Sequence, residues 1–299
     1  MKKNDIQRLG TEQRNRRAKD LDKKSARQIA AIINREDTEV PRAVKKAIPQ
    51  IAKAIDAIAK AIGNGGRLIY VGAGTSGRFA ALDASECPPT FNVSPETVQY
   101  VMAGGERALA AAAEFNEDSR EQGVADIAAR NPGPNDIVVG IAASGRTPYT
   151  VAAVEYAREC RTKTVAVVCN RRSPLGKAAE IEIVAEVGPE VVSGSTRMKA
   201  GTAQKLILNM LTTGAFTRLG YVYGNLMVNV HLKNEKLVER GIGILMEAAK
   251  TDRKAAEGAL AATENDVSTA LVMLKAKVSV EEAGRRLRNA NRNVRKAIG

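Results

Sequence analysis

Residues 65–78 read GGRLIYVGAGTSGR, and this stretch decides the fold. Leu68-Ile69-Tyr70-Val71 is a short apolar run without polar alternation, the pattern of a strand buried on both faces. It leads into Gly72-Ala73-Gly74-Thr75-Ser76-Gly77, a literal G-x-G-x-x-G between an apolar run and a helical pattern. Working outward, four more such runs follow at 98–102, 137–141, 165–169 and 181–187. Each is trailed by a polar or glycine-rich loop and a helical pattern. Strands alternating with helices predict βαβ units, so the fold class is α/β, a doubly wound five-stranded parallel sheet.

Helices flank this core in the sequence. Upstream, Val44, Ile48, Ile51, Ile55, Ile58 and Ile62 recur at three- and four-residue spacing until Gly63-Asn64-Gly65-Gly66 stops the pattern. Downstream of Lys199, Ala203, Leu206, Ile207, Met210 and Leu211 form an apolar face, and a mixed helix is predicted through Asn225–Leu237. From residue 251 the composition turns to Ala, Lys, Arg and Glu, with stripes Val267-Leu271-Leu274-Val278 and Val280-Ala283-Leu287-Ala290-Val294. The expected organisation is a domain over 1–250, with an N-terminal helical extension, and a small helical domain over 251–299.

Composition narrows the function. The chain has 299 residues, 46 Lys plus Arg against 33 Asp plus Glu, and a net charge of +13. That charge sits at the ends. Residues 1–27 hold ten basic and four acidic side chains, residues 275–299 hold eight and two, and the 247 residues between are nearly neutral. Aromatics make up 3 % and Trp is absent, so the stacking surfaces of nucleic-acid binders are missing and nucleic acid is not an expected partner. No apolar run approaches the ~20 residues of a membrane span. MKKNDIQRLG has no apolar stretch behind its basic residues, so no secretory leader is expected. Three scattered cysteines, Cys87, Cys160 and Cys169, make neither a disulfide scaffold nor a zinc site. A soluble cytoplasmic protein is the expectation.

The loops carry the chemistry. A dinucleotide site needs an acid at the end of the second strand to hold a ribose; here Met102-Ala103-Gly104-Gly105 supplies none. What remains at 72–77 is a glycine loop with two adjacent hydroxyls, Thr75 and Ser76, opening a helix, which suits a phosphate. Ala143-Ser144-Gly145-Arg146-Thr147-Pro148 follows the third strand, and Ser193-Gly194-Ser195-Thr196-Arg197-Met198-Lys199 follows the fifth. In a parallel sheet all three lie at the carboxyl edge, and together they point to a phosphorylated ligand. The single histidine, His231, lies outside these loops, which disfavours a serine-hydrolase triad, and no carboxylate/histidine cluster has metal-ligand spacing. Carboxylates remain: Glu86, in a helix begun at Gly77 and ended by Pro88-Pro89, and Glu117, late in an alanine-rich helix.

At this point LDASECPPTF at 82–91 after GAGTSGR, with TEQRN at 11–15, AGGERA at 103–108, NEDSREQG at 116–123, VVGIAASGRTPY at 138–149 and GSTRMKAGTAQKLILNML at 194–211, carries a specific likeness. NLMVNV at 225–230 and NEKLVER at 234–240 extend it over the first 240 residues. The chain resembles the N-acetylmuramic acid 6-phosphate etherase family of the sugar isomerase (SIS) superfamily. The resemblance implies cleavage of a D-lactyl ether without metal or organic cofactor, in a homodimer. It also implies catalytic roles for Glu86, as the acid that releases lactate and then the base for water, and for Glu117 as the C2 base. Thr75, Ser76, Ser144 and Thr147 would hold the 6-phosphate. Ser195 and Thr196 are candidate sugar contacts, and Arg197 or Lys199 candidates for the lactyl carboxylate. The apolar helix at 203–216 is expected to join the subunit contact.

The sequence departs from the family pattern at Phe79-Ala80, where Leu-Gly is usual, at Asn92, where glycine is usual, and at Asn229, which replaces a common aspartate. Rival readings are a non-catalytic sugar-phosphate regulator of the same superfamily, a sugar-phosphate isomerase and, more remotely, a nicotinamide-dependent dehydrogenase. Both glutamates are present, which argues against the regulator.

Overall fold

A computed structural model describes residues 9–111, 116–230, 232 and 234–299. His231 and residues 112–115 before Glu117 lie outside them. The chain divides into two compact units: residues 1–84 with 96–212, and residues 85–95 with 213–299.

The first unit opens with short 3-10 turns and helices α1 (Ala26–Asp37) and α2 (Glu39–Gly63). Ser25 and Gln28 start α1 with a reciprocal capping box, and α2 buries Val40, Val44, Ile51 and Ile58, one stripe at helical spacing. The alternating core follows: β1 (Leu68–Gly72), α3 (Gly74–Phe91), β2 (Val98–Met102), α4 (Arg107–Ala110), α5 (Arg120–Ala128), β3 (Ile137–Ala142), α6 (Pro148–Glu159), β4 (Lys163–Val168), α7 (Pro174–Ala178) and β5 (Ile181–Val184). All strand pairs are parallel, in the order β2-β1-β3-β4-β5. The five strands are the five predicted, with β4 starting earlier and β5 stopping at Val184. Val71 sits between Val101 and Gly140, so β1 and β3 run side by side while the chain winds outward from them in opposite directions. The loops leaving these two strands therefore meet at the switch point of the sheet, where ligands of such folds bind. One face of the sheet is closed by Ile127, Tyr149, Val151, Val154 and Leu175, packed on Ile69, Val71, Val138 and Val168.

Buried polar groups fix the unit's ends. Asp136 accepts from the Arg67 backbone N–H at 2.8 Å and from its guanidinium at 2.7 Å, tying the starts of β1 and β3. Burial raises the Asp136 pKa, but the Arg67 bonds outweigh it and hold it below the usual carboxylate range. Helix α8 (Lys199–Leu219) begins against Glu190, whose buried carboxylate accepts from the N–H groups of Lys199 and Ala200 at 2.9 Å each. That is a carboxylate on a helix N-terminus, its favourable place. The Lys199 ammonium donates to Glu36 at 2.8 Å, both side chains nearly inaccessible, and Asn15 and Arg17 complete the ring of donors around Glu36.

Several local expectations change. The prolines do not end α3 at Pro88: the helix starts at Gly74 and runs to Phe91, with both prolines in its last turn, where their fixed φ is already helical. The final turn closes through Asn92 N–H to the Pro88 carbonyl at 2.9 Å, and Asn92 takes the left-handed conformation (φ 53°) that a glycine would supply. Glu117 itself stands at a bend between Asn116 and α5, which Ser119 caps by accepting from the Gln122 N–H. The apolar face of α8 is consumed internally, with Ala203, Ile207 and Leu211 fully buried and Met210 left exposed. Ala80 is fully buried, and Phe79 lies against Gly201.

The second unit is helical: α9 (Glu235–Ala249), α10 (Arg253–Ala262), α11 (Val267–Ala276), α12 (Val280–Asn289) and α13 (Val294–Ile298). It includes α9, ahead of residue 250, since Ile242 and Leu245 share one core with Leu260, Leu271, Leu287 and Val294. Among the described residues of the expected 225–237 helix, 225–230 are not helical, and only Glu235–Leu237 are, as the first turn of α9. Gly220 and Gly224 adopt positive φ, and Asn234 starts α9 by accepting from the Leu237 N–H at 3.0 Å. Asn229 is buried in this unit, donating to the Tyr221 carbonyl at 3.1 Å and accepting from Ser268 Oγ at 2.7 Å. Phe91 stacks on Phe216 with ring centroids 4.4 Å apart. Among the described residues no helix is long and apolar enough to cross a membrane.

Two outcomes follow from this packing. Replacing Lys199 by Met leaves the Glu36 carboxylate buried without its main partner, and should lower unfolding free energy by about 3 kcal/mol in a denaturant titration. Burial pushes Glu36 up, but bonds from Lys199, Asn15 and Arg17 hold it below its ordinary value of 4.5. Its contribution is therefore present above about pH 4.5 and is lost as pH falls through the depressed folded value, and the variant's stability should show a weaker acid limb. For the thiols, Cys87 and Cys169 are buried and burial pushes Cys169 up to about 12, whereas Cys160 is half-buried. A thiol reagent should modify Cys160 alone in the native protein at neutral pH, and all three cysteines after denaturation.

Candidate active site

The loops after β1 and β3 and the segment before α8 meet in a cavity of about 320 Å³ in the first unit, within the range of small-ligand sites. Its lining includes Gly74, Thr75, Ser76, Glu117, Ser144, Thr147 and Thr196. Six predicted residues thus come together: the four hydroxyls expected at a phosphate, Thr196 and Glu117.

The backbone explains how they are placed. Gly72 closes β1, and a Cβ there would lie 2.9 Å from the Gly77 nitrogen, so the loop folds back on the strand only without a side chain. Gly74 follows at φ 53° and starts α3, leaving Thr75 and Ser76 in the first helical turn. The unsatisfied N–H groups of that turn and the two hydroxyls form a donor-rich wall. Ser76 Oγ donates to the buried Gln204 at 3.1 Å, which sets its rotamer. Across the cavity Ser144 Oγ accepts from the Arg146 N–H at 3.2 Å, in an αL turn at Gly145 (φ 67°). Thr147 precedes Pro148 at the start of α6, where the helix dipole again favours an anion.

Glu117 arrives from the opposite direction. Its carbonyl accepts from the Tyr149 N–H at 3.1 Å, and Tyr149 is locked by donating to Asp126 at 2.6 Å. Its carboxylate rests over Gly74: a Cβ on that glycine would approach Glu117 Oε1 to 2.9 Å. A carboxylate thus stands beside the donor wall, an arrangement that binds an anionic group and presents a base next to it.

The remaining predictions separate. Lys199 is buried on Glu36 and does not line this cavity, so its charge is satisfied within the fold. Ser195 and Arg197 belong to the same segment as Thr196, but are not among the lining residues. Glu86 is exposed on α3, ten residues beyond Ser76, and belongs to the second unit. Among the described residues no three His, Cys, Asp or Glu side chains stand together as metal ligands would. Two charged lining residues escaped the sequence reading: Arg78, which donates to the Leu109 and Ala111 carbonyls, and Glu12, from the TEQRN run. The sequence signal for each was its place in a motif run, GAGTSGR for Arg78 and TEQRN for Glu12.

The chain matches the SIS domain over residues 125–214 and the glucokinase regulatory protein N-terminal SIS domain over residues 50–158. Among solved structures, it is similar to a phosphoheptose isomerase from Neisseria gonorrhoeae (TM-score 0.50, 15 % identity, 64 % of this chain and 100 % of that one). It is likewise similar to a protein of Escherichia coli CFT073 solved as a ligand complex (TM-score 0.50, 14 % identity, 68 % and 97 %). These likenesses establish the fold. Relatives named N-acetylmuramic acid 6-phosphate etherase are far nearer in sequence. The Aeromonas hydrophila protein is 51 % identical over 96 % of each chain, and the Clostridium beijerinckii protein 49 % over 98 % of this chain and 96 % of its own. The Klebsiella aerogenes protein is 48 % identical over 98 % of both. With such identity sustained from end to end, the chain belongs to the N-acetylmuramic acid 6-phosphate etherase family.

Proposed function

We infer that the chain is an enzyme that cleaves the ether joining D-lactate to C3 of N-acetylmuramic acid 6-phosphate, giving N-acetylglucosamine 6-phosphate and D-lactate. The observation that carries this is the near-50 % identity to etherases across 96–98 % of both chains. A base beside a hydroxyl-lined anion site agrees with it.

The chemistry needs two carboxyl groups and no redox step. In the open-chain sugar the aldehyde acidifies the C2 proton, and Glu117 takes it. The C3–O bond breaks, and Glu86 protonates the departing lactate oxygen. Water, deprotonated by Glu86, adds to C3 of the unsaturated aldehyde, and C2 regains a proton from Glu117. Each group ends in its starting state. Thr75, Ser144 and Thr147 hold the 6-phosphate through their hydroxyls and neighbouring N–H groups, and Ser76, whose hydroxyl proton goes to Gln204, through its backbone N–H at the start of α3. Thr196 is a sugar contact, with Ser195 beside it, and Arg197 takes the lactyl carboxylate; Lys199, already paired, is not proposed for that role.

We further propose that the enzyme works as a homodimer in the cytoplasm. The exposed apolar side chains Leu82 and Met210 are the support for a subunit contact, and the free cysteines suit a reducing compartment. The match to the regulatory protein's SIS domain favours one second reading, a sensor that binds sugar phosphate without turnover.

Incubation with N-acetylmuramic acid 6-phosphate should release D-lactate, and Glu86→Gln and Glu117→Gln should each lower kcat at least about 100-fold. Tight sugar-phosphate binding with no lactate would establish the sensor instead. Thr75→Val and Ser144→Ala should each raise KM about tenfold while leaving kcat within a few-fold, since each removes a donor to a phosphate remote from the reacting carbons.

A further inference from the structure

The N-terminal segment places a second acidic group in the cavity beside Glu117, one that the two-carboxylate mechanism does not use. Residues 9–13 form a short turn in which the Glu12 and Gln13 N–H groups donate to the Leu9 carbonyl at 3.0 and 3.2 Å. Three anchors strap this turn across the carboxyl edge of the sheet. Asn170, just past β4, accepts from the Gly10 N–H at 2.9 Å and donates to Thr11 Oγ and to the Ala143 carbonyl, each at 3.1 Å. Ser193 Oγ donates to the Glu12 carbonyl at 3.3 Å. Asn15 donates to Glu36 at 2.8 Å and to the Pro189 carbonyl at 3.2 Å. Thr11 is consequently buried at 1 % exposure, while the next side chain, Glu12, is half-buried and turned into the cavity.

The placement of Glu12 parallels that of Glu117. Both carboxylates lie over positive-φ glycines of ligand loops: Glu117 over Gly74, and Glu12 over Gly194 (φ 78°), where a Cβ would come within 3.2 Å of Oε2. The Glu12 carboxylate has no hydrogen-bond or ion-pair partner among the described residues. A partly desolvated acceptor, held by a strap whose own bonds are complete, is a group waiting for donors.

We propose that Glu12 is a substrate-contacting residue whose carboxylate accepts a hydrogen bond from a hydroxyl or acetamido N–H of the amino sugar. An ionised carboxylate has no proton to donate and repels anions, so it holds neither the phosphate nor the lactyl group. Of the remaining polar groups of such a ligand, the acetamido carbonyl and the aldehyde, ring and ether oxygens only accept, which leaves its O–H and N–H groups as the donors a carboxylate can pair with. Glu12 therefore reads the sugar body while the hydroxyl loops read the phosphate. The preformed strap means the contact needs little ordering on binding. This inference rests on the etherase reading for the identity of the sugar.

The test uses full-length wild type, Glu12→Gln and Glu12→Ala, with three readouts: lactate release, calorimetric binding of N-acetylglucosamine 6-phosphate, and calorimetric binding of inorganic phosphate. Expected is at least a tenfold rise in KM and in product Kd for Glu12→Ala. Glu12→Gln keeps one acceptor oxygen and should show a smaller rise, with kcat within a few-fold of wild type and inorganic phosphate binding not weakened. Melting temperatures of both variants are measured, and the near-isosteric Glu12→Gln decides the matter if the Ala variant melts early. Unchanged KM and product Kd in both variants overturn the proposal. So does a fall in kcat alone, or a parallel loss of phosphate binding, which would mark collapse of the strap. Wild type that binds the sugar phosphate but releases no lactate would sink the etherase reading, while the product-binding comparison still judges Glu12 by itself.

Discussion

Two parallel strands cannot be joined by a hairpin; the chain must leave one carboxyl end, cross a face of the sheet and re-enter from the amino end. That constraint governs the first unit. Every strand here is parallel to its neighbours, so every loop that leaves a strand emerges on the same edge. The reversal of winding between β1 and β3 then opens a gap between two such loops. GAGTS and ASGRT need no attraction to each other to converge; the topology brings them there, and the donors on them face a common cavity.

Long-range polar contacts finish what the topology begins. Asn170 joins the N-terminal strap to the loop after β3, and the Lys199–Glu36 pair fixes the start of α8 to α1. Asp83 performs a similar task within the first unit, accepting from Tyr70, Asn209 and Thr212. Burial pushes its pKa up by more than these bonds pull it down. Such groups are worth little as net stability, because desolvation offsets their attraction, but leaving one unpartnered is expensive. They act as registration marks that penalise alternative packings.

The charge distribution follows the same division of labour. The body is nearly neutral, and several of the described terminal basic side chains have partners within the fold. Arg17 meets Glu36, Arg285 and Arg286 share Glu282, and Arg292 reaches Asp266 and Asn229. Arg295 lies over the Tyr223 ring at 4.7 Å. These contacts give those five side chains a part in helix packing.

The amino-acid sequence by itself determined the strands, because β-branched runs such as Ile137–Ile141 have one favourable environment, a sheet covered on both faces. It also determined the hydroxyl loops, because glycine followed by Thr-Ser at a helix start has a local conformational reason. The helix ends were less legible. Pro88-Pro89 reads locally as a stop, yet the helix tolerates it through its last turn, and Glu117 stands at a bend ahead of the Ser119 cap of α5. Only the tertiary structure decided which charges line the cavity. Lys199 and Glu12 are both polar residues at the edge of motif runs, indistinguishable by spacing. Lys199 is taken by Glu36, 163 positions away in the chain, while a strap anchored 160 positions away on Asn170 leaves Glu12 turned into the cavity. Partner choice for a buried charge depends on desolvation and on what the fold brings near, and neither is a local property of the sequence.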